Sequence, residues 1–194
     1  MKAYKDFIVS PIGNRYNNSK QIGDKNLIIN TEIYNHQFVN RNAKVLEVPM
    51  LFCSPVKIND EVIIHHNVFR RWHDVKGKER NSRSYLEENK YIVSEDQIFL
   101  YKSKSTNWKA MPGFSFIKPI KSTDKFNIED EKPLVGIIKY TDGTFSKEEL
   151  VGFRPNSKYE FIVNKERLYR VMNNFITIKY EYKGNEKEYN PSWA

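Results

Sequence analysis

The sequence predicts an all-β fold, a sandwich or barrel of short strands. Short β-branched and aromatic runs recur along all 194 residues, turn residues separate the runs, and no segment carries a long helical period. The segment closest to a helix is 144–150, which forms at most one turn with Ser146 as its cap. The predicted strands lie in 7–12, 26–30, 44–49, 61–69, 90–101, 114–120, 134–140, 150–155, 158–164, 167–172 and 175–182.

The order of these runs repeats once along the chain, which predicts two tandem related β-units. The first unit covers residues 1–105 and the second, weaker one covers 113–183. Charged residues, a proline and a glycine interrupt the pattern in 102–113, and 184–194 form a polar tail. The first set of runs is FIVSPI, KVLEVP, INDEVIIHHNVF and YIVSEDQIFLY, and the second set is FSFIKPI, LVGIIKY, ELVGFRP and YRVMNNFITIKY.

Charge, cysteine content and hydropathy limit the classes of partner and the cellular compartment that the sequence predicts. The net charge is +8, but the basic residues are spread among 24 acidic ones, which favours a solvated surface over a nucleic-acid stripe. The single cysteine, Cys53, rules out an internal disulfide and fits a reducing compartment. No apolar run approaches the ~20 residues of a membrane-spanning helix, and the first residues lack a signal peptide's apolar core. We therefore expect a cytoplasmic protein with no membrane partner.

The first half carries its elements in a characteristic order. An opening strand leads into a long loop with an apolar triplet, then AKVLEVP, then VKINDEVIIHH, and last YIVSEDQIFLYK. This order resembles the co-chaperonin family, the GroES-like proteins that form the lid on a chaperonin chamber, in the divergent form carried by bacteriophages. The family patterns are GxVxxVG, VKxGDxVIF and YxIxxxxDIxAxx. Lys25-Asn26 replace a glycine pair and Asn59 replaces a glycine, and asparagine tolerates the positive φ of such a turn.

The resemblance implies a small β-barrel subunit that assembles as a homo-heptameric ring, with no catalysis and no cofactor. The implied partner is a chaperonin, of the host or the phage, in its nucleotide-bound state. The loop, 13–43, would offer an apolar triplet that falls on Leu27, Ile28 and Ile29. The flanking segment 13–25 has the composition of a loop that stays loose until a partner orders it. Each contact would then be weak, and a ring of them would act through avidity.

Without the resemblance, the triplet has a second interpretation. Periodicity alone is equally consistent with an ordinary buried strand of the barrel over Leu27 to Ile29. Only the resemblance favours partner binding. The segment that follows, 30–43, either pairs across the barrel or extends the loop.

The segment 70–90 is the most polar excursion and is predicted to be a long basic hairpin between two strands. In the family the corresponding connection forms the roof of the dome. Such a loop can bind nucleic acid, but Asp74, Glu79, Glu87 and Glu88 dilute its charge, which favours a solvated tip. Repulsion between symmetry mates would keep the orifice open unless these acids pair between subunits. The roof residues are Arg70, Arg71, Trp72, Lys76, Lys78, Arg80 and Arg83.

Candidate chemistry is weak along the whole sequence. Adjacent residues on a strand point to opposite faces, so His65 and His66 are not expected to bind one metal together, and no metal site is predicted. Cys53 is predicted to be a small buried hydrophobe instead of a nucleophile. Paired carboxylates, a phosphate-binding glycine loop and a nucleophile elbow are all missing from the sequence, which argues against an enzyme.

These observations predict a phage-type co-chaperonin, a non-enzymatic ring that caps a chaperonin and assists the folding of viral proteins. One alternative is a virion or assembly structural protein built on the same β-barrel module. A third hypothesis is a nucleic-acid-binding β-barrel that uses Arg70 to Arg83. Fold analogy does not choose among them, because function lies in sites carried by folds.

Overall fold

The protein is all-β, as the sequence predicts. A computed structural model describes residues 2–17, 19–28, 35–104, 106–123, 131–163, 166–181, 184 and 186–191. These residues form seventeen strands, and four 3-10 turns connect some of them. The described residues contain no helix with the length and apolar character needed to cross a bilayer.

The chain divides into two compact units, Met1–Asn107 and Trp108–Ala194. Within the first unit, six strands form a main antiparallel sheet in the order β10-β5-β4-β1-β9-β8, and two separate hairpins consist of β2–β3 and β6–β7. Its 3-10 turns are His36–Phe38, His66–Val68 and Glu95–Gln97. Its strands are β1 (Phe7–Pro11), β2 (Ser19–Ile22), β3 (Lys25–Ile28), β4 (Asn42–Glu47), β5 (Glu61–Ile64), β6 (Arg71–His73), β7 (Glu79–Asn81), β8 (Tyr85–Glu87), β9 (Lys90–Val93) and β10 (Ile98–Lys102).

The core of the first unit follows from the alternation of side chains along its strands. Phe7 and Val9 of β1 are fully buried. Val9 lies opposite Val45 of β4, and Phe7 lies opposite Val93 of β9. Because each buried side chain of this size stabilises the fold by about 2 kcal/mol, the register that buries all of them is strongly favoured.

The second unit forms one antiparallel sheet of six strands, in the order β15-β16-β12-β13-β14-β17. A 3-10 turn, Asn173–Phe175, precedes the last strand. One core cluster consists of Ile117, Ile138, Val151, Phe153, Tyr169 and Val171. The strands of this unit are β11 (Lys109–Ala110), β12 (Phe114–Lys121), β13 (Glu131–Thr141), β14 (Leu150–Phe153), β15 (Lys158–Val163), β16 (Glu166–Met172) and β17 (Ile176–Tyr180).

The six sheet strands of each unit share one arrangement. Numbered 1 to 6 in chain order, the strands of the first sheet have the spatial order 6-3-2-1-5-4. The strands of the second sheet have the same order when the sheet is read from β17 to β15. The agreement extends to individual hydrogen bonds. The N–H of Asn59 donates to the carbonyl of Val45 on the second strand of the first sheet, and the N–H of Glu148 donates to that of Ile138 on the second strand of the other sheet. Asn59 and Glu148 both have positive φ, 72° and 66°. Asn59 thus adopts the glycine-like conformation that the sequence predicts for its turn.

The units differ in the connections between these strands. In the first unit the connection from the third strand to the fourth is 65–84 and contains β6–β7, whereas the second unit makes the same step with 154–157. The first-to-second connection of the first unit, 12–41, contains β2–β3. In the second unit that connection is 122–130, most of which lies outside the described residues.

The closed barrel expected from the sequence is not found in the described residues, where each sheet stays open. A barrel closes only when its two edge strands pair. In the first sheet β8 has three residues, all exposed, and pairs only with β9. In the second, β15 and β17 each pair with a single strand. Strand periodicity is the same in an open and a closed sheet, so the sequence did not distinguish them.

Candidate functional site

Two residues of the predicted apolar triplet, Leu27 and Ile28, lie on a hairpin that is separate from the main sheet. Strands β2 and β3 pair around a turn at Gly23, whose φ of 61° is readily adopted by glycine. Leu27 is 56% exposed on β3. The backbone of Ile28 also belongs to β3, and Ile29 lies outside the described residues.

Part of the segment predicted to stay loose before binding, residues 19–25, includes strand β2, the turn and the start of β3. The hairpin also presents Ile22, which is 58% exposed and was not among the predicted site residues. Ile22 lies opposite Lys25, two residues before Leu27, so Ile22 and Leu27 share one face. The signal was present in the sequence as two four-residue runs, SKQI and KNLI, around a Gly-Asp turn.

The stem of the loop is held by buried contacts. Tyr16 and Val39 form an antiparallel bridge, and both residues are buried. The side-chain amide of Asn40, only 2% exposed, donates to the carbonyl oxygens of Ile12 and Asn14 at 2.8 Å each. A buried amide whose two donors are satisfied by backbone fixes the chain on both sides of the stem. The hairpin therefore projects from an ordered base.

The basic hairpin β6–β7 is organised by one carboxylate at its turn. Asp74 accepts hydrogen bonds from the backbone N–H of Lys76 and Lys78, at 3.0 and 2.9 Å, and from Nε of Arg80 at 3.0 Å. The backbone N–H of Lys78 is the main cause of the lowered pKa of Asp74. Asp74 therefore stays ionised and holds the turn.

The acids of this hairpin pair within it. Arg71 contacts Glu79 at 2.8 Å, and Arg80 contacts Asp74 at 3.0 Å. The sequence predicts that the roof would repel its neighbours in a ring unless these acids pair between subunits. The pairs found here lie within one chain and neutralise two of the hairpin's positive charges, which would weaken such repulsion.

The loop and the basic hairpin share a common base. Nε and Nη2 of Arg15 donate to the carbonyl of Phe69 at 3.2 and 2.9 Å, and Nη1 donates to Oδ1 of Asn81 at 2.8 Å. The Tyr16 hydroxyl accepts from the backbone N–H of Arg71 at 2.7 Å, and the Arg71 guanidinium lies 4.8 Å from the Tyr16 ring centroid. Burial lowers the pKa of Arg15. These contacts join the two segments into one surface region.

The seven roof residues separate into different places. Arg71 packs on Tyr16, while Lys76 and Lys78 are exposed at the turn. Arg70, Trp72 and Arg83 instead line one groove of about 450 Å³, which we call the arginine–tryptophan groove. Its other lining residues are Asn67, Ser82, Ser84 and Gln97.

The histidine pair does not sit on a strand. β5 ends at Ile64, and Nδ1 of His65 accepts from the N–H of Asn67 at 3.1 Å as a 3-10 turn begins. The rings of His65 and His66 stack at 4.3 Å, so the expectation of opposite faces is wrong. Burial, followed by the charges of His65 and Arg41, lowers the pKa of His66 to about 3. Within the described ranges, no three His, Cys, Asp or Glu side chains are placed to hold a metal.

Cys53 is exposed, which corrects the expectation of a buried hydrophobe. It lies between β4 and β5 in a connection that also exposes Met50 and Leu51, with 61% and 69% of their surfaces accessible. An apolar run between two prolines predicted burial, but the prolines keep this segment out of the sheet because they cannot donate to a strand ladder.

The two hairpins offer different chemistry on one unit. The hairpin β2–β3 exposes two apolar side chains, Ile22 and Leu27, on a face that Lys25 shares, and β6–β7 presents cations and an aromatic ring. The first suits docking to an apolar protein groove, and the second suits an anionic ligand. No family model and no curated protein matches this sequence.

Proposed function

We propose that this chain is a GroES-like co-chaperonin, a non-enzymatic, ring-forming lid that binds a chaperonin and assists protein folding. The observation that carries this proposal is the hairpin β2–β3, which exposes Ile22 and Leu27 on one face above a buried, hydrogen-bonded stem. Exposed apolar side chains that share one face of a projecting hairpin support a role in binding another molecule. The proposed client class is viral protein, for a chain of bacteriophage type.

In this mechanism Leu27, Ile28 and Ile29 enter an apolar groove of a chaperonin in its nucleotide-bound state, and Ile22 extends the contact. A hairpin that is already paired loses less conformational entropy on docking than a loose loop does. Each hairpin still buries only a few side chains, so each contact is weak and a ring of hairpins gains strength through avidity. Weak single contacts allow the lid to leave when the chaperonin changes state.

Ring assembly, which we propose as heptameric, is supported by the free edge of the second sheet. β17 pairs only with β14 among the described strands and exposes Ile178, 50% accessible. An unpaired antiparallel edge readily pairs with another copy of the chain, and a head-to-tail contact that closes gives a ring. The shared 6-3-2-1-5-4 order supports a tandem GroES-like arrangement. We place the protein in the cytoplasm, where a host or phage chaperonin works.

The capping experiment mixes the protein with a purified chaperonin and a non-hydrolysable ATP analogue, and counts capped particles by electron microscopy. The triple variant Leu27→Ser, Ile28→Ser, Ile29→Ser is expected to lose the cap, because it removes the apolar contact and leaves the stem intact. Leu51→Ser is the matched control, since Leu51 is 69% exposed on another connection.

Capping that survives the triple variant contradicts the proposed binding mode. Absence of a cap with both host and phage chaperonins contradicts the function itself. Co-purification with intact virus particles in that case would favour the assembly-protein hypothesis.

A further inference from the structure

We propose that the arginine–tryptophan groove binds a nucleotide, with the nucleobase stacked on Trp72 and a phosphate held by Arg70 and Arg83. This site shares no residue with the exposed apolar pair of β2–β3, Ile22 and Leu27. It gives the first unit a ligand that chaperonin capping does not require.

The groove residues lie at the base of the basic hairpin. Arg70, immediately before β6, and Trp72, on β6, line the same groove, whereas Arg71 between them packs on Tyr16. Nε1 of Trp72 donates to the carbonyl of Asn81 at 3.2 Å. That bond sets the orientation of an indole ring that is 46% exposed, and a fixed, accessible aromatic plane is what a nucleobase stacks on.

The charge around the groove is positive because Arg70 and Arg83 line it, while the hairpin acids pair with other arginines. Asp74 pairs with Arg80, and Glu79 pairs with Arg71. Arg83 is exposed, and its side chain forms no ion pair with any residue that the structure describes. No acidic residue is among the described groove residues. A guanidinium in these surroundings is a suitable partner for phosphate oxygens.

The remaining lining supplies hydrogen-bonding groups for a sugar or a base edge. Oε1 of Gln97 accepts from the N–H of Ser94 at 3.2 Å, which leaves the two amide N–H groups as donors. The hydroxyl of Ser82 donates to the carbonyl of Val68 at 2.5 Å and keeps its lone pairs for a ligand donor. The volume of about 450 Å³ lies within the usual range for small-molecule sites.

Comparison of the units assigns the groove to the insertion. Six of its seven lining residues, all except Gln97, belong to the connection 65–84. The second unit makes the same step with 154–157. The groove therefore depends on the long connection that contains β6–β7. Both units share the strand order, but the second unit makes this step with a short turn.

Calorimetric titration of the full-length protein with adenosine monophosphate tests the site, with adenosine and inorganic phosphate as part-ligands. We expect adenosine monophosphate to bind more tightly than either part. Trp72→Ala should weaken that binding at least fivefold through loss of stacking, and Trp72→Phe should retain most of it. Arg83→Gln should weaken it about tenfold through loss of a charged hydrogen bond. The matched control is Arg154→Gln, an exposed arginine in the short turn of the second unit.

A second titration distinguishes the source of the nucleotide. A twelve-residue oligodeoxyadenylate should bind about as tightly as the mononucleotide if the ligand is a free nucleotide. It should bind at least tenfold tighter, with affinity that falls steeply with salt, if the ligand is a single strand that also reaches the lysines at the hairpin tip. Both results support the site.

Three results overturn the proposal. The first is no binding of any of these ligands at millimolar concentration. The second is equal binding of adenosine and adenosine monophosphate, which removes the phosphate contact. The third is an equal loss of affinity in Arg83→Gln and Arg154→Gln, which would show that the affinity depends only on net charge. Circular dichroism of each variant separates these results from misfolding, and the capping assay, expected to be unaffected by Arg83→Gln, tests the proposed function independently.

Discussion

Equivalent tyrosines in the two units serve different purposes. Tyr91 pairs with Val9 in the first sheet as Tyr169 pairs with Ile117 in the second. The Tyr91 ring contacts Phe69 at 4.7 Å and lies under the guanidinium of Arg15, so this tyrosine belongs to the common base of the two hairpins. In the first unit, this sheet position therefore packs against the residues that hold the two hairpins.

In the second unit this position is part of a buried ionic cluster. The hydroxyl of Tyr169 donates to both carboxylate oxygens of Glu131, at 2.6 and 2.7 Å. Glu131 is 5% exposed and also pairs with Arg167 at 2.9 Å and with Lys158 at 3.2 Å. Burial and the Glu131 carboxylate raise the pKa of Tyr169, which keeps the hydroxyl protonated as a donor.

The candidate binding surfaces of this fold lie on its connections. The strands keep the same order in both units, while the exposed apolar and cationic groups of interest lie on connections that are longer in the first unit. Loops carried by a rigid sheet are free to vary because few core contacts depend on them.

The largest expected effect concerns two equivalent sheet positions, Gly136 in the second unit and Ala43 in the first. Gly136 pairs with Pro119 as Ala43 pairs with Pro11, yet a Cβ on Gly136 would lie 2.5 Å from Cγ2 of Ile117. Gly136→Ala should therefore cost about 3 kcal/mol through overpacking, measured by denaturant unfolding. Ala43→Gly should cost only about 1 kcal/mol, from backbone entropy. Equal losses in the two variants would break the contrast between the units.

A smaller effect separates the two tyrosines. Tyr169→Phe leaves the buried Glu131 without one donor and should cost about 2 kcal/mol of unfolding free energy. Among the described residues, none forms a hydrogen bond with the Tyr91 hydroxyl, so Tyr91→Phe should change stability by less than about 0.5 kcal/mol. A larger loss in Tyr91→Phe would show that the first unit also depends on its hydroxyl.

The inserted connection should make the first unit sensitive to mild acid. The pKa of His66, about 3 in the folded chain, lies below the ordinary histidine value, so the unfolded state binds more protons between these two values. Stability should therefore fall as the pH falls through about 6.5, by about 1 kcal/mol at pH 5 once solvent screening of this half-buried ring is included. His66→Gln should remove that part of the slope in unfolding curves at pH 7 and 5, and an unchanged slope contradicts the assignment.

The smallest effect concerns the equivalent turns. Glu148 and Asn59 both have positive φ, which costs a glutamate more than an asparagine. Glu148→Gly should raise stability by about 0.5 to 1 kcal/mol, while Asn59→Gly should change it by a few tenths. Thermal unfolding of both variants checks the order, and a loss in Glu148→Gly would show that its side chain contributes to the turn.

The strands and one turn could be predicted from the sequence because local patterns determine them. Short β-branched and aromatic runs between turn residues identified most strands of the two main sheets, and the Asn-Asp pair identified a turn whose Asn59 has the expected positive φ. Sheet closure could not be predicted, since it depends on long-range pairing of edges. The stacked His65 and His66, and the exposure of Cys53, depend on where β5 begins and ends, which are boundaries that a strand pattern defines poorly.

The site was only partly predictable for a similar reason. The apolar triplet was recognisable as a run, but the role of Ile22 required the register of a hairpin. The link from Arg15 to Phe69 and Asn81 joins residues more than fifty positions apart, and no local pattern carries such a contact. Basic residues at 70–83 were visible in the sequence, whereas their division between a paired tip and a groove required the folded hairpin.

Hydrogen exchange of the full chain with and without a chaperonin in its nucleotide-bound state tests whether the hairpin β2–β3 binds the chaperonin. We expect new protection concentrated in the backbone amides of 19–28, with the strands of the second unit unchanged apart from ring contacts. Protection confined to the basic hairpin 71–81, or no protection anywhere in the presence of a bound chaperonin, would contradict it.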